Sequence, residues 1–209
     1  GYLEKNEQGL SNLVLTSLNG EEVKEVRPVN VFTGVDPASS TAQTADFSVI
    51  FNIAIDEDNN RFVLPYYRKR AKPLQLADAV IDNFRLHKSS KTRIESVGYQ
   101  EMLRQYIKEK SEESGMFIPG LEIKENPRTS KSYRLESLQP LFASGKVFIQ
   151  DNMQHFVDEL LLYPRGKHDD LLDGFFYANK NCYRPVHDVG EIKQKEENLY
   201  QKAKNWKLF

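Results

Sequence analysis

The sequence predicts an α/β fold in which helices flank one mixed β-sheet. Three β-rich segments come first, and the short turns between them favour an antiparallel three-strand meander. After Pro73 the apolar residues change from alternate positions to the 3.6-residue period of a helix. Helical and β-rich segments then alternate, which is typical of a sheet with helices packed against it.

The strands are predicted from runs of β-branched and aromatic residues bounded by turn residues. The meander begins at Val29, and an acidic turn at 56–60 separates its second strand from its third. The predicted strands are Val29 to Asp36, Phe47 to Ile55, Arg61 to Tyr67, Thr92 to Val97, Gly120 to Lys124 and Val147 to Ile149.

The helices are predicted from apolar residues that recur on one face. The first begins after Pro73, with Leu76, Val80 and Phe84 on its apolar face. The others are predicted at about Tyr99 to Glu113, Lys131 to Ala143, Met153 to Leu162 and Asp169 to Lys180.

The 209 residues, 39% of them hydrophobic, can bury one substantial core without disulfides or structural metal. We expect one domain at 29–182. Residues 1–28 are polar enough to be a lead-in or the remnant of an upstream domain, and 183–209 are expected to form a charged, solvated helix or tail.

Composition excludes several classes of protein. The one cysteine, Cys182, cannot form an internal disulfide, and no export signal begins the sequence, so we expect an intracellular setting. No apolar run approaches the ~20 residues of a membrane-spanning helix. The net charge of −1 argues against binding nucleic acid by bulk positive charge, so any such binding must use local basic patches.

Two acidic residues stand at unusual places in the predicted sheet. Asp36 ends the first strand, and Pro37 behind it favours an extended backbone that presents the carboxylate at the strand terminus. An ordinary Asp-Pro turn remains an alternative. Glu95 lies inside the fourth strand, where a charge is disfavoured unless it is paired or coordinating. The alternative is a solvent-facing edge.

Three more acidic residues, Asp169, Asp170 and Asp173, lie at the start of the helix predicted from Asp169 to Lys180. Asp170 and Asp173, and Asp169 and Asp173, share a helical face because they are three and four residues apart. Helix capping by Asp169 and a dipole contact of Asp170 would explain the first two acids but not Asp173. Asp46, at the start of the second strand, could lie beside Asp36, although a surface turn is the better explanation of this residue.

Carboxylates that converge from several elements suit phosphodiester hydrolysis through two divalent ions about 4 Å apart. Oxygen ligands of this kind favour Mg²⁺ or Mn²⁺ over Zn²⁺. Asp36, on the central strand, is the natural bridge between the two ions.

The motifs Val35-Asp36-Pro37, Ile94-Glu95-Ser96-Val97-Gly98-Tyr99 and His168-Asp169-Asp170-Leu171-Leu172-Asp173 resemble, in order and spacing, the nuclease domains of large terminase subunits of tailed phages. The resemblance covers about Val29 to Ala178. It implies an RNase H-like fold and an endonuclease that cuts concatemeric double-stranded DNA with two Mg²⁺ or Mn²⁺ ions and little sequence preference.

The resemblance also implies roles for individual residues. Asp36, Glu95 and Asp170 would be catalytic metal ligands, with Asp169, Asp46 and Asp173 as further metal-binding acids. Lys131 would approach the scissile phosphate, although a solvated lysine at a helix start is an equal alternative. Separately from the resemblance, basic residues cluster at 68–72 and again at Arg128, Lys131 and Arg134, where they could contact DNA phosphates, although a solvated basic turn is the commoner explanation of such a cluster. The candidate DNA-binding residues are Lys131, Arg134, Arg128, Arg68 and Arg70.

The resemblance further implies an ATPase motor domain, a portal protein and a small terminase subunit as partners, in the host cytoplasm. The phosphate-binding G-x-x-x-x-G-K-[ST] motif of such a motor is absent, so the chain is expected to be an isolated nuclease fragment. Gly174 stands where relatives commonly have Ala, a change that slightly weakens the helix.

Two alternatives remain open. A resolvase-like or transposase-like nuclease would share the acidic sheet but would act on branched DNA or join strands. A non-catalytic module that docks on DNA or on a portal would belong to another class, against which the intact set of acids argues.

Overall fold

The computed structural model of the chain describes residues 2–7, 11–15, 25–38, 47–95, 100–121, 130–180 and 182–185. The strands are β1 (Tyr2–Lys5), β2 (Ser11–Leu15), β3 (Glu25–Pro28), β4 (Asn30–Asp36), β5 (Ser48–Ile55), β6 (Arg61–Val63), β7 (Tyr67–Lys69), β8 (Lys91–Ile94) and β9 (Val147–Phe148). The helices are α1 (Pro73–His87), α2 (Gln100–Glu113), α3 (Lys131–Glu136), α4 (Gln139–Ala143), α5 (Gln154–Leu162) and α6 (Asp170–Asn179).

The predicted mixed sheet is confirmed. Strands β4, β5 and β6 form the antiparallel meander, while β8 pairs parallel with β4 and β9 pairs parallel with β6. The strand order is β8-β4-β5-β6-β9, and β7 pairs with β5 beyond the end of β6. Strand β4 therefore lies between β8 and β5, so its carboxyl end is flanked on both sides.

Three predicted elements differ from the structure. The third strand is split into β6 and β7 because Pro65, which has no amide hydrogen for the ladder, lies in the segment between them. The helix predicted from Lys131 to Ala143 is two helices, and Pro140 in the first turn of α4 fits this break. Gly120 and Leu121 form a turn rather than the start of a strand, and 122–124 lie outside the described residues.

Segment 1–28 contains strands that the sequence did not predict. β1, β2 and β3 form a separate antiparallel sheet. Leu13 is buried there against Val31, Ala54 and Phe62 of the larger sheet, and the amide of Val29 donates to the carbonyl of Ser11. These strands are only four or five residues long, and β1 and β3 each contain two charged residues, which explains why their pattern is weak. The division into 1–28, 29–182 and 183–209 stays a prediction.

Strand β5 carries the core on both of its faces. All of its residues are buried, and alternate side chains point to opposite sides of the sheet. Phe51 and Ile53 pack with Phe175 of α6 on one side, while Ile50 packs with Val80 of α1 on the other. Each such side chain stabilises the fold by about 1.5–3 kcal/mol. None of the described helices has the length and apolarity needed to cross a bilayer.

Helix α6 lies in backbone contact with the sheet at two glycines. A Cβ atom at Gly34 of β4 would collide with the carbonyl oxygen of Gly174 and the amide nitrogen of Ala178. A Cβ atom at Gly174 would lie 2.7 Å from Cγ1 of Val49 and 3.0 Å from Cβ of Phe51. Gly174 thus has a packing role, beyond the weakening of the helix that the sequence suggested.

We expect Gly34→Ala to lower the free energy of unfolding by about 1–3 kcal/mol or more, because backbone atoms of α6 must move away. Gly174→Ala should cost less, since its Cβ meets side-chain atoms and alanine gains about 1 kcal/mol of helix propensity. Urea unfolding of both variants measures the two costs. Equal costs, or a larger cost at Gly174, would show that the two backbones are not in tight contact at Gly34.

Candidate functional site

The carboxyl ends of β4 and β8 lie side by side. The two strands are parallel, Val35 is paired with Ile94, and the amide of Glu95 donates to the carbonyl of Val35 over 3.2 Å. Asp36 and Glu95 are the next residues of their strands and are both partly buried. The pairing of the strands therefore brings these two carboxylates together across a gap of 59 positions in the sequence.

Helix α6 brings two more carboxylates to this edge. Asp170 and Asp173 are only 3% and 4% exposed. Oδ2 of Asp170 accepts a hydrogen bond from the amide of Phe47 at 3.2 Å and lies 3.7 Å from Nδ1 of His168. We call Asp36, Glu95, Asp170 and Asp173 the acidic cluster.

The electrostatics of Asp36 reflect the closeness of these groups. Burial, together with the charges of Asp173, Glu95 and Asp170 and a hydrogen bond with Glu95, raises the pKa of Asp36 well above its usual range. Burial also raises the pKa of Asp173, against the opposing effect of Lys131. The acidic cluster concentrates negative charge in a partly desolvated place, which favours a bound cation.

Two basic side chains of α3 partly neutralise the acidic cluster. Nζ of Lys131 lies 2.7 Å from Oδ1 of Asp169 and 2.6 Å from Oδ2 of Asp173. Nη1 of Arg134 lies 3.4 Å from Oε1 of Glu95 and 3.6 Å from Oδ1 of Asp173. Burial lowers the pKa of Lys131, but the neighbouring carboxylates of Asp173 and Asp169 raise it by more, so the pKa lies above its usual range.

The hydroxyl of Tyr177 bonds both Glu95 of the acidic cluster and Arg134 of α3, a role that the sequence did not suggest. Its hydroxyl donates to Oε1 of Glu95 at 2.7 Å and accepts from Nη1 of Arg134 at 2.7 Å. Burial and Glu95 raise the pKa of Tyr177, so the phenol stays neutral. Its position four residues after Asp173, on the same helical face, is the signal in the sequence that could have identified it.

The structure brings together Asp36, Glu95, Asp170 and Asp173. Asp169 lies at the margin: it precedes α6, makes no side-chain capping hydrogen bond, and pairs with Lys131. Asp46 and Arg128 lie outside the described residues.

The basic candidates have different surroundings. Arg134, which the sequence suggested as a DNA contact, is 7% exposed and faces Glu95 and Asp173. Arg68 is also largely buried and lies 3.3 Å from Glu159, whereas Arg70 is exposed. Lys131 remains accessible, with 43% of its side chain exposed.

The residues present suit a hard divalent cation. The acidic cluster offers only carboxylate oxygens, and the buried Oδ1 of Asp173 accepts no hydrogen bond. In the described parts of the chain, no group of three or more His, Cys, Asp and Glu side chains has an arrangement that could hold a metal ion. Glu95 and Asp173 are instead turned to Arg134 and Lys131.

Comparison with known proteins points to one family. Residues 33–181 match the family model described as the terminase RNaseH-like domain. The fold is similar to the large terminase nuclease from thermophilic phage G20c with bound zinc, with a TM-score of 0.54, 16% identity, and coverage of 74% of this chain and 82% of that one. The same nuclease with bound magnesium has a TM-score of 0.53 and 17% identity, and the match covers 86% of this chain and 90% of that one. No curated protein sequence matches significantly.

We expect Asp36→Asn to raise the melting temperature in EDTA at about pH 8. The folded-state pKa of Asp36 is raised, so its contribution to stability is complete below the unfolded-state value of about 3.9 and is lost as pH rises through the folded-state value. Asparagine carries no charge at any pH, so the variant does not lose stability through ionisation at this position. Thermal melts should show an advantage that shrinks on acidification, and a variant less stable than wild type at every pH would contradict the crowding of charges.

Proposed function

Because the chain belongs to the terminase RNase H-like domain family, we propose that it is a metal-dependent endonuclease that hydrolyses phosphodiester bonds of double-stranded DNA. The observation that carries the proposal is the acidic cluster, in which carboxylates from β4, the end of β8 and α6 share one electrostatic environment. A cluster of four carboxylates at the rim of a sheet has an evident use in holding divalent cations over a phosphate.

Asp36, Glu95 and Asp170 would hold two Mg²⁺ or Mn²⁺ ions, with Asp173 beside them and Asp169 at the margin. The G20c nuclease holds magnesium in one structure and zinc in another, which supports a divalent cation, and the carboxylate oxygens of the acidic cluster favour Mg²⁺ or Mn²⁺. When bound, the ions would supply an activated water and stabilise the leaving oxygen. Asp36 is the best candidate for the shared ligand, because each of the other three acids contributes to its raised pKa.

The chain's own cations would perform two tasks. Arg134 and Tyr177 hold Glu95 through one shared set of hydrogen bonds, which fixes the direction of its carboxylate. Lys131 is half exposed at the rim, where a DNA phosphate competes with Asp169 for its ammonium group.

DNA would be held by contacts to its phosphates and not by base readout. Arg70 is exposed, and its guanidinium lies 4.1 Å above the ring of Phe47. Because the amide of Phe47 donates to Asp170, Arg70 lies next to the acidic cluster. Lys131 and Arg70 are therefore the best-placed phosphate contacts, and Arg128, Arg68 and Arg134 remain candidates. Contacts of this kind carry no sequence information, in keeping with cleavage of concatemeric DNA at many sequences.

In this proposal the domain works in the host cytoplasm within a DNA-packaging assembly, alongside an ATPase motor domain, a portal protein and a small terminase subunit. The family supports that setting.

The central test is plasmid cleavage in Mg²⁺ or Mn²⁺ by wild type and by Asp36→Asn, Glu95→Gln and Asp170→Asn. Each substitution should lower the rate at least about a hundredfold, since loss of about 3 kcal/mol of transition-state stabilisation has that effect. EDTA should stop wild type. Asp82→Asn, which removes an exposed carboxylate of α1 paired with Arg85, is the matched control and should cut normally. Full activity of Asp36→Asn would refute the proposal.

Arg70→Met should weaken binding of linear duplex DNA to a similar extent for unrelated sequences. The slope of log affinity against log salt concentration should become shallower by about one unit, the amount expected for the loss of one phosphate contact. Fluorescence anisotropy in Ca²⁺ or EDTA, at several salt concentrations, measures both effects without cleavage. An unchanged slope would remove Arg70 from the DNA path.

A further inference from the structure

A closed ring of contacts surrounds Asp170 at the start of α6. Its carboxylate accepts from the amide of Phe47, and the guanidinium of Arg68 lies 3.7 Å above the ring of Phe47. Nη2 of Arg68 is 3.3 Å from Oε1 of Glu159. Oε2 of Glu159 accepts from the amide of Leu171 at 2.8 Å, and because Leu171 directly follows Asp170, the ring closes.

Glu159 accepts a hydrogen bond from the first turn of α6, which the capping residue Asp169 does not. The first amides of a helix have no partner within the helix, and an acid beside them is stabilising. Asp169, at the capping position, makes no side-chain capping bond and is turned to Lys131. Glu159, from α5 and only 6% exposed, takes its place by accepting from Leu171.

Arg68 offsets part of the cost of burying Glu159, although burial still raises the pKa of Glu159 to about 7. A buried carboxylate is costly unless it is paired and hydrogen-bonded. Arg68 provides the opposite charge and is 14% exposed, so it faces Glu159 and Phe47 and not the solvent. Arg70, two residues later, is exposed and fits the phosphate contact proposed above. The two arginines thus lie over the same Phe47 ring but differ in their exposure to solvent.

We propose that Glu159 and Arg68 are positioning residues that fix the backbone and carboxylate of Asp170 for metal binding. The inference rests on the proposed function, because it gives Asp170 an ion to bind. Neither residue touches the reacting atoms. Glu159 acts on the backbone after Asp170, and Arg68 acts through Glu159 and Phe47.

The experiment compares wild type with Glu159→Ala, Glu159→Gln and Arg68→Met. Asp158→Asn is the matched control, because it removes the adjacent carboxylate of α5, which is exposed and bonds Gln154. Three quantities are measured on folded protein: the affinity for Mn²⁺ by calorimetry, hydrogen exchange of the Leu171 amide by NMR, and the rate of plasmid cleavage at saturating Mn²⁺.

Glu159→Ala should weaken Mn²⁺ binding about ten- to a hundredfold, the usual effect of losing a residue that orients a ligand, and should speed exchange of the Leu171 amide. Glu159→Gln keeps an oxygen acceptor for that amide and should recover part of both. Arg68→Met should weaken Mn²⁺ binding in the same direction. The control should match wild type.

Three results would overturn the proposal. If Glu159→Ala binds Mn²⁺ as wild type does, or exchanges the Leu171 amide no faster, then Glu159 has no positioning role and the nuclease proposal is unaffected. If wild type itself neither binds Mn²⁺ nor cuts DNA, both proposals fail together. Should Glu159→Ala not fold, Glu159→Gln and Arg68→Met decide the question by the same measurements.

Discussion

The backbone contact between α6 and β4 is the constraint on which the site depends. Gly34 and Gly174 let the helix lie on the strand without an intervening side chain. In this position Asp170 and Asp173, in the first turn of α6, come close enough to Asp36 at the end of the strand to raise its pKa. The two glycines are ordinary in their local context, and their importance lies in what they allow the helix to reach.

Bringing four carboxylates together opposes folding, and the surrounding residues reduce this cost. Arg134 and Tyr177 share Glu95, and Lys131 lies between Asp169 and Asp173. Phe47 and the Glu159–Arg68 pair hold the first turn of α6. The raised pKa values of Asp36 and Asp173 show that the compensation is incomplete. A divalent cation would complete it, which is how folding and proposed function are connected.

Asp36, Glu95 and Asp173 drew attention because each stands at an unusual place: before a proline at a strand end, inside a strand, and beyond what helix capping needs. Asp170 is explained locally by the helix dipole, and only the resemblance to a family gave it a role. The sequence predicted the sheet because period-2 and period-3.6 patterns are local properties. The position of Tyr177 one turn after Asp173 was a local signal. Its bonds to Glu95 and Arg134 depend on which elements become neighbours, so the sequence did not indicate these partners.

Other differences had local signals of varying strength. Pro65 and Pro140 were visible in the sequence and mark the split strand and the split helix. The strands of segment 1–28 are four or five residues long, which is too short for a clear pattern. The tight contact at Gly34 could not be foreseen, because a glycine in a strand is equally consistent with a bulge or with close backbone approach.

Anomalous scattering from crystals soaked in Mn²⁺ tests the central claim most directly. The account predicts anomalous density in contact with the carboxylates of Asp36 and Asp170, where β4 and α6 meet. The same soak of Gly34→Ala should lose that density, because α6 would be displaced. Strong density elsewhere on the protein, with none beside Asp36, would contradict the claim that the close approach of α6 to β4 builds a metal site.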